Sequence, residues 1–163
     1  MKSLKLAAIV LLFGIAAFSQ NFNAGISAGL PTGETREHFS YNLTAEVNCL
    51  WKLSKIFDAG IITGYSHYFE NETGDQAYGY ISFLPIAAAT RFNLSKRFII
   101  GLDVGGTIGI GGIGINEGLY FVPKLQYSIK DSIDLVIAQR SLVYDVVFGG
   151  SRDVVSIGLE FRL

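Results

Sequence analysis

From Phe39 to Trp51 apolar and polar residues alternate almost without a break. Phe39, Tyr41, Leu43, Ala45, Val47, Cys49 and Trp51 are apolar, and Ser40, Asn42, Thr44, Glu46 and Asn48 stand between them. Successive side chains of a strand point to opposite faces, so this period of two predicts a β-strand with one oily and one wet side. The run exceeds the ~5–6 residues common in globular strands and, when tilted, is long enough to cross a hydrocarbon layer of ~30 Å.

The same reading along the chain predicts eight strands, near 22–30, 39–52, 57–69, 78–92, 97–110, 118–129, 133–141 and 153–163, with no helix after the leader. In the fifth, Phe98, Ile100, Leu102, Val104, Ile108 and Ile110 oppose Gly101, Asp103, Gly105, Thr107 and Gly109. In the eighth, Val155, Ile157, Leu159, Phe161 and Leu163 oppose Ser156, Gly158, Glu160 and Arg162. Short connections (53–56, 93–96, 130–132) alternate with longer ones (31–38, 70–77, 111–117, 142–152). A weak repeat marks the short turns: Leu53-Ser54-Lys55-Ile56-Phe57 recurs as Leu94-Ser95-Lys96-Arg97-Phe98, and Ile129 to Ile133 takes the equivalent place later.

Alternation alone does not decide which face is inside, since a soluble lipocalin-like carrier would turn the apolar set inward. The aromatic residues favour apolar-out. Trp51, Phe57, Phe92, Phe98, Tyr127 and Phe161 gather at the short-turn end, and Phe39, Tyr41, Tyr65, Tyr68, Phe69, Tyr78, Tyr80 and Tyr120 at the long-loop end. Two belts fit two membrane interfaces. The polar face, rich in glycine and hydroxyl residues, suits the narrow interior of an eight-strand barrel. On this assignment Glu46, Arg91, Asp103, Lys124, Arg140 and Glu160 point into the lumen, where an ion-pair network is expected because an isolated buried charge is costly.

Composition narrows the class further. Charged residues make up 17% of the chain, and 19 glycines and 21 aromatics are present. Met1 to Lys5 carries two lysines, Leu6 to Phe18 is apolar, and Ala17-Phe18-Ser19 offers a small-x-small cleavage pattern, so residues 1–20 read as a secretory signal peptide and 21–163 as one barrel domain. Without Lys2 and Lys5 the mature chain has 11 basic against 14 acidic residues, which argues against nucleic acid as a partner. Cys49, the only cysteine, has no disulfide partner.

Candidate chemistry is thin. His38 stands near Glu37 and Ser40, and His67 beside Ser66, but neighbours on a strand face opposite ways and cannot form a dyad. Gly109-Ile110-Gly111-Gly112-Ile113-Gly114 matches the dinucleotide fingerprint, yet a strand follows where the phosphate-binding helix would have to open. Glu70, Glu72 and Asp75 make one loop acidic, and no spacing forms a closed metal site. Lys52, Lys55, Lys96, Arg97 and Lys130, opposed only by Asp131, make the short-turn rim basic and suited to anionic headgroups.

The leader, the eight long strands and the terminal Gly158-Leu159-Glu160-Phe161-Arg162-Leu163 together resemble the small outer-membrane β-barrel family of Gram-negative bacteria, and Phe18-Ser19-Gln20 gives the leader a Bacteroidetes look. The resemblance implies a monomeric eight-stranded antiparallel up-and-down transmembrane barrel. It further implies contact with outer-membrane lipids and delivery by the barrel-assembly machinery, which reads the terminal segment. Leu163 stands where that family usually ends in an aromatic, with Phe161 two positions earlier. No catalytic, cofactor or metal residue is expected. The expected role is structural or in surface contact, with a narrow pore, a lipid A-modifying enzyme and a soluble apolar-ligand carrier as alternatives.

Overall fold

The computed structural model describes residues 20–71, 79–112, 117–145 and 150–163. Eight strands, β1 (Gln20–Thr32), β2 (Phe39–Lys52), β3 (Phe57–Glu70), β4 (Ile81–Asn93), β5 (Phe98–Gly112), β6 (Leu119–Lys130), β7 (Ile133–Asp145) and β8 (Gly150–Arg162), pair antiparallel in chain order, and β8 returns to β1 to close the barrel. Closure leaves no unpaired strand edge, which is what lets a sheet sit in hydrocarbon. The leader lies outside the described residues, and β1 begins at Gln20, one residue ahead of the expected domain start.

The apolar set faces out. Ile26, Ile61, Ile86, Ile108, Ile157 and Val155 are all exposed, Ile26 to 63%, whereas Glu46, Arg91, Asp103, Lys124, Arg140 and Glu160 are buried in the lumen. A soluble carrier would show the reverse. Some two dozen large apolar side chains on the outer wall form the continuous apolar band of a transmembrane barrel.

The repeated short turns fold alike. Leu53 and Ser54 donate their N–H groups to Phe57 O, at 3.1 and 3.0 Å, and Leu94 and Ser95 donate to Phe98 O, at 2.9 and 3.2 Å. Ser54 Oγ accepts from Ile56 N, and Ser95 Oγ from Arg97 N and Phe98 N. The serine in each copy therefore supplies the acceptor that closes the turn.

Three expectations need correction. A single helical turn, α1 (Thr35–His38), stands in the first long connection, where no helix was expected. The fourth connection shrinks to 146–149, because β7 and β8 run on beyond the apolar band. Polar residues hold this extension: Ser141 Oγ donates to Asp153 Oδ1 at 2.5 Å, Ser151 Oγ to Asp153 Oδ2 at 2.8 Å, and Arg152 lies 4.6 Å from the Tyr144 ring centre. Third, β4 starts at Ile81 rather than 78.

Candidate functional site

The lumen is filled in two layers. Toward the long-loop end Phe39, Tyr68, Phe83 and Tyr120 form a row of rings, with centroid separations of 5.6, 5.8 and 6.4 Å between successive pairs. Ile81, Leu142 and Val154 complete this layer, each with 1% exposure or less. Edge-to-face and tilted pairs at such spacing are attractive as well as space-filling. Above them α1 folds across the mouth, with Thr35 buried and its Oγ1 accepting the Asp153 N–H at 3.0 Å.

Three of these rings correct the proposed outer belt. Phe39, Tyr68 and Tyr120 were expected at the membrane interface and instead fill the interior. For Tyr68 and Tyr120 the parity was available: Tyr120 is an even number of residues from Lys124, so both take the same face. Phe39 is different, because a β-bulge between Phe39 and Tyr41 inserts Ser40 and turns Phe39 inward while Tyr41 stays outside. Tyr41, Tyr65, Phe69 and Tyr80 remain on the outer wall, and Tyr78 lies outside the described residues.

Below the aromatic layer lies a chain of alternating charges. Arg91 Nη1 meets Asp103 Oδ1 at 2.6 Å, and Asp103 Oδ2 meets Lys124 Nζ at 2.7 Å. Lys124 Nζ then reaches Glu46 Oε2 at 2.8 Å, and Arg140 Nη2 stands 3.3 Å from Glu46 Oε1. Tyr120 OH donates to Glu46 Oε1 at 3.1 Å, joining the aromatic layer to the ionic one, and Arg140 Nη1 donates to Ser156 Oγ. Glu160 accepts from Asn48 Nδ2 at 2.9 Å and Gln126 Nε2 at 3.1 Å. Three cations therefore balance three carboxylates, as burial demands. All six expected lumen charges face the interior; five of them join one network, and Glu160 is held separately by Asn48 and Gln126.

The short-turn end is wetter. Arg162 Nη2 holds both Asp134 oxygens at 2.7 Å, and Asn93 Nδ2 donates to Asp58 Oδ2 at 3.0 Å. Lys52, Lys55 and Lys96 stand around a cavity of about 430 Å³ there, while Arg97 Nη1 donates to Tyr127 OH at 3.2 Å. The basic rim thus takes the place expected of it, with Lys130 exposed on it without lining that cavity.

On the outer wall His67 is not paired with Ser66, which is buried in the lumen and bonded to Asn42 and Thr44. His67 instead faces its cross-strand neighbour: His67 Nδ1 and Ser82 Oγ are 2.7 Å apart, and Tyr65 OH lies 3.1 Å from Nδ1 and 3.2 Å from Ser82 Oγ. The Tyr80 ring stacks on the imidazole at 5.3 Å. The sequence reading missed Ser82 because this pairing runs across strands, and only the β3–β4 register brings it opposite His67. Among the described residues no carboxylate bonds His67 or Ser82, and no group of three or more metal-ligating side chains converges. His38 packs edge-on against Phe39 at 6.5 Å. Of the glycine-rich match, Gly109 to Gly112 are extended strand at the end of β5, and Ile113 and Gly114 lie outside the described residues.

No family model matches the sequence, and no curated protein matches it. Solved structures do. A transmembrane β-barrel designed de novo is similar over 88% of this chain and 95% of its own, with a TM-score of 0.57 at 10% identity. The attachment invasion locus protein Ail of Yersinia pestis is similar over 88% of this chain and 97% of its own, with a TM-score of 0.54 at 9% identity. Neisserial surface protein A covers the same shares, with a TM-score of 0.51 at 11% identity. At such identities the likeness speaks for the fold, that of small eight-stranded membrane barrels.

Proposed function

We propose that this chain is a monomeric outer-membrane barrel that serves envelope structure or surface contact and performs no chemistry of its own. The observation that carries the reading is the Lys124–Glu46 pair, which spans the lumen between opposite strands and, with the row of rings above it, leaves the interior filled. Such a barrel offers its surroundings only its wall and its loops. The signal peptide over residues 1–20 and the Bacteroidetes-like Phe18-Ser19-Gln20 support export to the periplasm, and the terminal strand supports handling by the barrel-assembly machinery. The apolar band supports outer-membrane lipids as its immediate partners. The structural relatives, among them an attachment invasion locus protein and a surface protein, support the same setting.

A narrow pore for small solutes or ions is the second reading, favoured by the cavity that reaches inward from the short turns as far as Arg91. Planar-bilayer recording separates the two. The filled barrel passes no current, and Arg91→Met leaves it closed; discrete openings in the unaltered protein would establish the pore instead. Heat-dependent mobility in SDS of the outer-membrane fraction tests the setting itself, since a closed barrel keeps its fold until heated.

A further inference from the structure

Arg91 is anchored on one side and vacant on the other. Its Nη1 donates to Thr90 O at 2.8 Å and to Asp103 Oδ1 at 2.6 Å, while Nε and Nη2 have no acceptor among the described residues. The side chain is 2% exposed and lines the short-turn cavity. It can lie flat across β5 because position 101 is glycine: a Cβ there would stand 2.9 Å from Arg91 Cδ and Nη1. A buried guanidinium with unmet donors is a costly arrangement unless an acceptor visits it.

The carboxylates around the same cavity are turned to other donors. Asp134 is held by Arg162, Glu160 by Asn48 and Gln126, and Asp58 by Asn93 through Oδ2. Asp58 is the exception in one respect. It sits directly opposite Arg91 in the β3–β4 register, yet forms no ion pair with it, and its Oδ1 has no donor. The cavity therefore offers a cationic donor and an anionic acceptor side by side, both unmet, beneath Lys52, Lys55 and Lys96.

We propose that the short-turn vestibule binds a protonated phosphate, as inorganic phosphate or a phosphomonoester, with Arg91 donating to its oxygens and Asp58 accepting its P–OH proton. A bare cation cluster would take any oxyanion; the unmet acceptor adds selectivity. Sulfate, fully ionised, has no proton for Asp58 and meets a repulsive carboxylate instead. Phosphodiester lipids lack that proton too, whereas a phosphatidic acid headgroup carries it. The three lysines raise the local anion concentration at the mouth and stand where bilayer headgroups also gather.

The test is calorimetric titration of the full mature chain, refolded in detergent, with inorganic phosphate and with sulfate at matched ionic strength. Saturable phosphate binding at least about tenfold tighter than sulfate is expected, the worth of one charge-assisted hydrogen bond. Arg91→Met should lower phosphate affinity by about tenfold or more, and Asp58→Asn should bring sulfate level with phosphate. Should Arg91→Met fail to give a heat-modifiable barrel, Asp58→Asn and the exposed-rim triple variant Lys52→Gln/Lys55→Gln/Lys96→Gln still decide; the triple variant should bind phosphate more weakly and with less dependence on salt. Nanodiscs containing phosphatidic acid or phosphatidylglycerol identify the source. Competition by phosphatidic acid alone makes the bilayer headgroup the ligand, and its absence makes the ligand soluble. No heat with phosphate, equal binding of phosphate and sulfate by the unaltered protein, or an undiminished preference for phosphate in Asp58→Asn would overturn the proposal.

Discussion

Lys124 Nζ and Glu46 Oε2 meet at 2.8 Å although 78 residues separate them and their strands, β6 and β2, face each other across the barrel. Each is also tied on its other side, Lys124 to Asp103 and Glu46 to Arg140 and Tyr120. Removing Lys124 leaves Glu46 and Asp103 sharing two guanidinium partners with a buried cation missing between them, which costs more than the pair itself contributes. Lys124→Met should therefore lower stability by about 3–5 kcal/mol in denaturant unfolding from detergent or vesicles. Lys124→Met combined with Glu46→Gln should cost less than the sum of the two single changes, since their mutual contact is lost once rather than twice and the lumen keeps its charge balance.

The aromatic layer makes a separate demand. Phe83 is fully buried between Tyr68 and Tyr120, so Phe83→Ala opens a cavity on the long-loop side and should cost about 3–5 kcal/mol. Because the ionic layer lies below it, the same variant should still pass no current in a planar bilayer. Conductance in Phe83→Ala would mean that the rings alone seal the lumen.

Two adjacent glycines should behave in opposite ways. A Cβ on Gly105 would stand 2.1 Å from Ile86 O and 2.4 Å from Ala87 Cα, both backbone, whereas one on Gly106 meets nothing nearer than 3.7 Å. Gly105→Ala has to part β4 from β5 and should lose about 1–3 kcal/mol or fail to give the heat-modifiable form. Gly106→Ala should fall within about 0.5 kcal/mol of the unaltered protein.

Position on the outer wall sets the cost of a charge there. Ile26 pairs with Leu159 and Ala45 in the middle of the wall, and Leu163 stands at its edge, 83% exposed. In a bilayer Ile26→Arg should cost about 2–4 kcal/mol and Leu163→Arg about 0–1 kcal/mol. Equal costs in detergent-free buffer, with the protein soluble, would invert the assignment of the two faces.

The hydrogen-bonded His67, Ser82 and Tyr65 form an outer-wall group that invites a catalytic reading, and they lack a carboxylate partner among the described residues. A mass spectrum of lipid A from cells making His67→Ala should match that from cells making the unaltered protein. A changed acylation pattern would assign that cluster a reaction.

Most of the barrel was legible because a strand's period of two ties every residue to a face once one residue is placed. Glu46, Arg91, Asp103, Lys124, Arg140 and Glu160 are placed in the lumen by the sequence alone, for the polar positions alternate with apolar ones that have only lipid to face. The aromatics were harder, since a ring suits either an interface or a core. Tyr68 and Tyr120 needed their parity counted against Lys124 and its equivalents, and Phe39 could not be placed that way at all. The bulge at Ser40 changes its parity, and nothing in the local sequence marks a bulge. Likewise Ser82 and His67 lie 15 residues apart and become neighbours only through the β3–β4 register.

The charges that cross the lumen also bear on how the chain assembles. Arg91 with Asp103, and Arg162 with Asp134, join adjacent strands and can form within one hairpin. Glu46 with Lys124, and Asn48 with Glu160 at a separation of 112 residues, cannot form until the sheet has curled round and β8 has met β1. A half-built sheet would carry those groups unpaired into the hydrocarbon, at a high free-energy cost. The lumen network therefore penalises every partly zipped intermediate and rewards only the closed ring, so insertion and closure are driven to occur as a single cooperative event.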